Sequence, residues 1–175
     1  AARSGDLIIT SPLGIQVNGR NPAANNFGGF LTRTDGSGNS GNIGIASVSG
    51  AVVLQDGAQI SAITRNSGQA GNVSVNANQV SLQGGAGIYA NTDGTGNAGT
   101  VTLTTPTVNL DRGFIFVNTF GDTGNAGRLI VNTNQFTAQN GSLISAASQG
   151  RGQGGNITLN APNGSINFIG NDEVV

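Results

Sequence analysis

The sequence predicts an all-β fold, a right-handed parallel β-helix solenoid of about six coils of ~28 residues with three parallel sheets. Two observations lead there. A glycine followed by a short apolar–x–apolar strand recurs at Gly5 (GDLII), Gly41 (GNIGI), Gly71 (GNVSV), Gly99 (GTVTL), Gly127 (GRLIV) and Gly155 (GNITL), at spacings of 36, 30, 28, 28 and 28 residues. Within each spacing lie further alternating segments of the same kind, and no stretch has a helical period.

The coil at 71–98 shows the elements in order. Val73 and Val75 flank Ser74, Val80 and Leu82 flank Ser81, and Ile88 and Ala90 flank Tyr89, so each segment is a period-2 strand with one apolar face. Glycine- and asparagine-rich corners separate them. Strands this short need neighbours, and stacking each on its copy 28 residues away supplies them. Three inward columns result. The first runs Leu7/Ile9, Ile43/Ile45, Val73/Val75, Val101/Leu103, Leu129/Val131 and Ile157/Leu159. The second runs Ile15/Val17, Val52/Leu54, Val80/Leu82, Val108/Leu110, Phe136/Ala138 and Ile166/Phe168, and the third Phe30/Thr32, Ile60/Ala62, Ile88/Ala90, Ile115/Val117 and Ile144/Ala146. A hydroxyl column follows the third: Thr34, Thr64, Thr92, Thr119 and Ser148.

The corners repeat as well. The glycine that opens each coil is expected to supply a conformation closed to other residues. Asp6, Asn42, Asn72 and Asn156 follow it, with Thr100 and Arg128 in the other two coils, and stacked asparagines are expected to bond along the axis as a ladder. A second corner reads Asp56-Gly57, Gly84-Gly85, Arg112-Gly113 and Asn140-Gly141. The first coil carries a loop insertion at 18–29, from which Phe27 is expected to tuck back onto the body. The array occupies residues 1–175 as one β-helix segment. Neither end carries an evident polar cap, so a segment of a longer solenoid or a unit stacking end to end is expected.

Composition narrows the function. The chain has 30 glycines and, by count, 23 asparagines; it has no cysteine, methionine, tryptophan, histidine or lysine. A net charge of −1 gives no electrostatic case for nucleic acid or an anionic membrane. Absence of cysteine suits a secreted bacterial surface protein better than a disulfide-stapled scaffold.

The pattern G-N-[AG]-G-N-h-x-h followed by Q-x-G-[AS]-x-I-x-A-x-[TS], here GQAGNVSV, QDGAQISAIT, GQGGNITL and QNGSLISAAS, resembles the repeat region of filamentous-haemagglutinin-like proteins of the two-partner secretion class, in particular the long cyanobacterial ones. The resemblance covers nearly the whole chain. It implies export through an outer-membrane partner pore, an extracellular, cell-surface location, and a role in adhesion, aggregation or matrix building. Their secretion domain carries an NPNG-type motif, and the nearest match is Ala161-Pro162-Asn163-Gly164, with alanine first and at the wrong end, so this segment is expected to lie outside that domain.

Enzymes acting on polysaccharides share the fold class, so chemistry must be sought residue by residue. The outward positions of the first sheet are Ile8, Gly44, Ser74, Thr102, Ile130 and Thr158, none ionisable. With no histidine or lysine, acid–base work falls to carboxylates, Tyr89 or arginine. Asp35 and Asp93 share a column two coils apart, about 10 Å by strand spacing, with Arg65 between them. An Asp–Arg–Asp surface ladder is expected there rather than a catalytic pair. Calcium motifs are absent, zinc has no histidine or cysteine to use, and no metal or cofactor is expected.

One surface feature stands out. Tyr89 and Phe116 occupy the same outward column in consecutive coils, with Phe114 just before and Phe120 just after the second strand. Exposed aromatics on a flat sheet stack on sugar rings or dock another chain, and they also serve simply to cover the sheet. Tyr89, Phe116 and Phe120 are the candidate surface contact. The expected function is therefore non-enzymatic: a structural or adhesive β-helical rod or fibre, with itself and a surface glycan as expected partners. A polysaccharide lyase or hydrolase is the alternative.

Overall fold

In the computed structural model, residues 3–19 and 28–170 are described. The strands run β1 (Leu7–Thr10), β2 (Ile15–Asn18), β3 (Gly29–Thr34), β4 (Ile43–Gln55), β5 (Gln59–Thr64), β6 (Val73–Gln83), β7 (Gly87–Tyr89) and β8 (Thr100–Thr104). They continue as β9 (Thr107–Asp111), β10 (Phe114–Phe116), β11 (Arg128–Asn132), β12 (Gln135–Gln139), β13 (Leu143–Ser145), β14 (Asn156–Asn160) and β15 (Ser165–Ile169). Every pairing is parallel, and each joins a strand to its copy one coil away. The chain is a parallel β-solenoid of about five turns with the 28-residue spacing. The sixth coil contributes only β14 and β15 among the described residues.

The inward columns stack as the alternation predicts. Leu7, Ile43, Val73, Val101, Leu129 and Ile157 are in register, as are Ile15, Val52, Val80, Val108, Phe136 and Ile166. Phe30, Ile60, Ile88, Ile115 and Ile144 form the third stack. In the middle coils these side chains are fully buried and form one continuous apolar core. A buried aliphatic side chain is worth roughly 1.5–3 kcal/mol, and each coil obtains it only from the coils above and below.

Two details differ from the sequence reading. The first two sheets are one ten-stranded sheet, because β4 and β6 run through the corner between them without a break. That corner is a single inward residue, Ala77 in β6, on an otherwise extended backbone. The 30-residue second coil also carries a bulge: Ser47 pairs with Ala77 and Ala51 with Gln79, so three residues face Asn78 alone. The first-coil insertion is pinched at its neck, where the Gly28 N–H donates to the Gly19 carbonyl at 3.0 Å. Residues 20–27, including Phe27, lie outside the described residues.

The coil-opening glycine has a different cause from the one expected. Gly41, Gly71, Gly99, Gly127 and Gly155 are not among the positive-φ positions. Instead, a Cβ on Gly71 would run into the Gly41 carbonyl oxygen, one on Gly99 into that of Gly71, and one on Gly127 into that of Gly99. Glycine is demanded by the approach of one coil to the next. A second column, Gly68, Gly96, Gly124 and Gly152, repeats the same contact.

Amide side chains complete the stacking. Asp6 Oδ1 accepts the Asn42 N–H at 2.7 Å, Asn42 Oδ1 the Asn72 N–H at 2.9 Å, and Asn72 Oδ1 the Thr100 N–H at 2.8 Å. The ladder stops where the side chain changes to Thr100 and Arg128. There the Arg128 and Asn156 N–H groups donate to the Gly99 and Gly127 carbonyls instead, at 3.3 and 3.2 Å. A buried ladder runs through Asn91 Oδ1 to the Asn118 N–H and through Asn118 Oδ1 to the Ala147 N–H. The hydroxyl column tethers the coil-closing loops: Thr64 and Thr119 donate to the Gly68 and Asn125 carbonyls of their own coils, and Ser148 donates to the Gly124 carbonyl of the coil before.

Conformational freedom is required at the second corner, where Asp56, Gly84, Arg112 and Asn140 all have φ between 54° and 60°. Arg112 suits that left-handed conformation least. Its contact with Asp111, 3.8 Å between exposed groups, is weak compensation. Arg112→Asn, which copies Asn140 one coil on, is expected to stabilise the rod by about 1 kcal/mol, read as a higher urea midpoint; a lower midpoint would mean the backbone there is unstrained.

Candidate binding faces

The third sheet presents the aromatic column. Tyr89 and Phe116 pair in register with ring centroids 5.6 Å apart, and Phe114 stacks beside Phe116 at 5.7 Å. All three are half-buried. The Tyr89 ring folds over Gly87, whose missing side chain leaves the space, and its hydroxyl reaches the position a Cβ there would take. Burial pushes the Tyr89 phenol above its ordinary value, so it stays neutral across the physiological range. Phe120 is more exposed, at 40 %. It is not part of this cluster: its N–H donates to the Thr92 carbonyl, which sets it one position beyond the Thr119–Thr92 bridge. Phe120 therefore continues the corner column of Asp35, Arg65 and Asp93, beyond the buried Asn118 and Thr119. The structure joins Tyr89, Phe114 and Phe116 and leaves Phe120 apart.

Asp35, Arg65 and Asp93 form the expected ladder. Arg65 lies 3.9 Å from Asp35 and 3.8 Å from Asp93, and Arg33 adds a closer contact to Asp35 at 3.2 Å. All four side chains are exposed, so the pairs are solvent-screened. Both carboxylates face arginine rather than a cleft. Among the described residues, no group of three or more histidine, cysteine, aspartate or glutamate side chains is placed to hold a metal ion. No described helix is long and apolar enough to cross a membrane.

A carboxylate with a perturbed proton affinity sits at the second corner. Asp111 accepts from Asn140 Nδ2 at 2.9 Å and from Gln139 Nε2 at 3.3 Å. These bonds, with a smaller contribution from the Arg112 guanidinium, hold its pKa below the ordinary carboxylate value. Its contribution to stability is present above the unfolded-state pKa and is lost as pH falls through the lowered folded value. It ties coil four to coil five.

A concave feature lies elsewhere on the rod. A shallow furrow of about 450 Å³ follows the corner between the two arms of the ten-stranded sheet, from the coil-two bulge to coil six. One wall is the column Asn76, Thr104, Asn132 and Asn160; the other is Asn78, Pro106, Asn134 and Pro162, with Val48 at one end. All are exposed. Between them the corner residues Ala77, Thr105 and Thr133 point inward, and both threonine hydroxyls are spent on nearby backbone carbonyls. The sequence signal for this furrow is the triplet after each first strand: NAN at 76–78, TTP at 104–106, NTN at 132–134 and NAP at 160–162. Its concavity is set by the bend of the backbone, which the triplet alone does not reveal.

The fold and these faces define a parallel β-solenoid that, among the described residues, buries no charged side chain and presents an aromatic cluster and an amide-lined furrow. Comparison with protein-family models, with curated proteins and with solved structures gives no match.

Proposed function

We propose that the chain is a non-enzymatic β-helical rod of a bacterial cell surface or extracellular matrix, with a structural and adhesive role. The observation that carries this reading is where the polar repeats are spent. The glycine columns, the asparagine ladders and the threonine column all serve contact between successive coils or close each coil's own loop. Such a sequence is built for a long, stiff stack. The resemblance of GQAGNVSV and QNGSLISAAS to filamentous-haemagglutinin-like repeats supports the same reading, and with it secretion through an outer-membrane pore. The pairing of Asp35 and Asp93 with arginines favours the rod over the lyase or hydrolase alternative.

Association of copies, end to end or side by side, belongs to the same reading. Electron microscopy of the purified protein tests this. Thin continuous fibres with an axial repeat of about 4.8 Å are expected. Discrete rods, together with release of oligosaccharide from an acidic polysaccharide that ends in the Asp35→Asn or Asp93→Asn variant, would overturn the reading in favour of an enzyme.

A further inference from the structure

We propose that the furrow between the two arms of the ten-stranded sheet binds an extended, uncharged glycan chain lying along the rod axis. The site is separate from the aromatic cluster, and the proposal goes beyond the rod reading.

Three of the furrow's five asparagines keep their side-chain amides spare, while Asn132 and Asn160 bond to each other. Asparagines elsewhere on the rod, such as Asn42, Asn72, Asn91 and Asn118, hold backbone N–H groups of the next coil. Asn76, Asn78 and Asn134 have no side-chain hydrogen bond within the protein among the described residues, and neither does Thr104. They leave both donors and acceptors facing one concave surface, the combination that sugar hydroxyls require.

None of the residues lining the furrow is ionisable. An anionic polysaccharide or a charged peptide would find no counter-charge there, whereas an uncharged chain has no charge to leave unpaired. Along the walls, exposed Pro106, Pro162 and Val48 offer apolar C–H surface to the faces of sugar rings between the polar rungs.

The rungs repeat at the coil spacing, as the bond from Asn160 Nδ2 to Asn132 Oδ1 at 2.9 Å shows directly. A pyranose ring is of the same order of length as one coil spacing of about 4.8 Å, so each ring can meet a rung, whereas an extended peptide, advancing about 3.3 Å per residue, regains the rungs only once in three residues. The furrow spans coils two to six, roughly 20 Å at that spacing, enough for a run of several rings.

The test is calorimetric titration of the intact chain with cellohexaose and with mannohexaose, both uncharged and β-1,4-linked. Polygalacturonate and an uncharged asparagine-rich peptide serve as comparisons. At least one hexasaccharide is expected to bind with a Kd in the millimolar range or tighter, unchanged by added salt. The triple variant Asn76→Ala, Asn78→Ala, Asn134→Ala removes exposed side chains without internal partners and should retain the wild-type circular dichroism. It is expected to weaken binding at least tenfold, while Phe116→Ala on the third sheet leaves it unchanged. Absence of binding by both hexasaccharides, binding that survives the triple variant, or a preference for polygalacturonate or the peptide would each overturn the proposal.

Discussion

Val75→Asp is expected to unfold the middle of the rod, while Ser74→Asp, one residue away, leaves it intact. Val75 is 1 % exposed and stacks between Ile45 of the coil before and Leu103 of the coil after. No ionisable side chain is buried among the described residues, so a carboxylate there has no partner. It would be forced either to remain charged in an apolar stack or to take up a proton and still lack hydrogen bonds. A loss on the order of 4–5 kcal/mol is expected, against a total stability of about 5–15 kcal/mol for a domain of ordinary size. Because each coil is stabilised by its neighbours, the damage spreads to coils two and four. Ser74 points outward between Gly44 and Thr102 and is exposed. A change there is expected to fall within about 0.5 kcal/mol. Urea melts followed by circular dichroism, with limited proteolysis to locate the unfolded coils, read both variants. Equal damage from both would invalidate the assignment of inward and outward faces.

That pair of residues also shows why the columns are legible in the sequence. Inward and outward positions alternate with period 2, and the alternation recurs every 28 residues, so Ile45, Val75 and Leu103 identify one another by spacing alone. The merging of the first two sheets was not legible. Asn76-Ala77-Asn78 reads as a turn, yet β6 passes through it as strand. In the next coil Pro106, which lacks an N–H, falls at the same corner, and β8 and β9 are separate. That Phe120 lies apart from Phe116 was not legible for a related reason. Nearness in sequence suggests a shared patch, but the intervening Asn118 and Thr119 turn inward and carry Phe120 round to the corner column. The Asp35–Arg65–Asp93 ladder was read correctly because it depends on column membership alone.

Gly99→Ala is expected to cost about 2–3 kcal/mol, or more if the coils cannot part, although alanine is ordinarily tolerated in an extended backbone. The reason lies in the axial contact. Its added Cβ would strike the Gly71 carbonyl oxygen and approach the Ala70 carbonyl oxygen at 3.3 Å. Both are backbone atoms of a coil fixed on each side by strand pairing, so neither is free to swing away. Relief requires coils three and four to separate at this corner. That would lengthen the bond from the Thr100 N–H to Asn72 Oδ1, now 2.8 Å, and strain the bond from the Gly99 N–H to the Ala90 carbonyl, now 2.9 Å. The matched control is Gly5→Ala. Gly5 is the coil-one copy of the same repeat position, and a Cβ there would meet nothing within 4 Å. Neither glycine has a positive φ, so a purely conformational demand for glycine would treat the two alike. A large loss at Gly99 with less than about 0.5 kcal/mol at Gly5, measured by urea denaturation, is the result expected from coil-to-coil approach. Equal losses would return the explanation to backbone conformation. The same comparison bears on the function proposed, because a glycine selected for close axial stacking at every coil is what a continuous rod requires and what an isolated site does not.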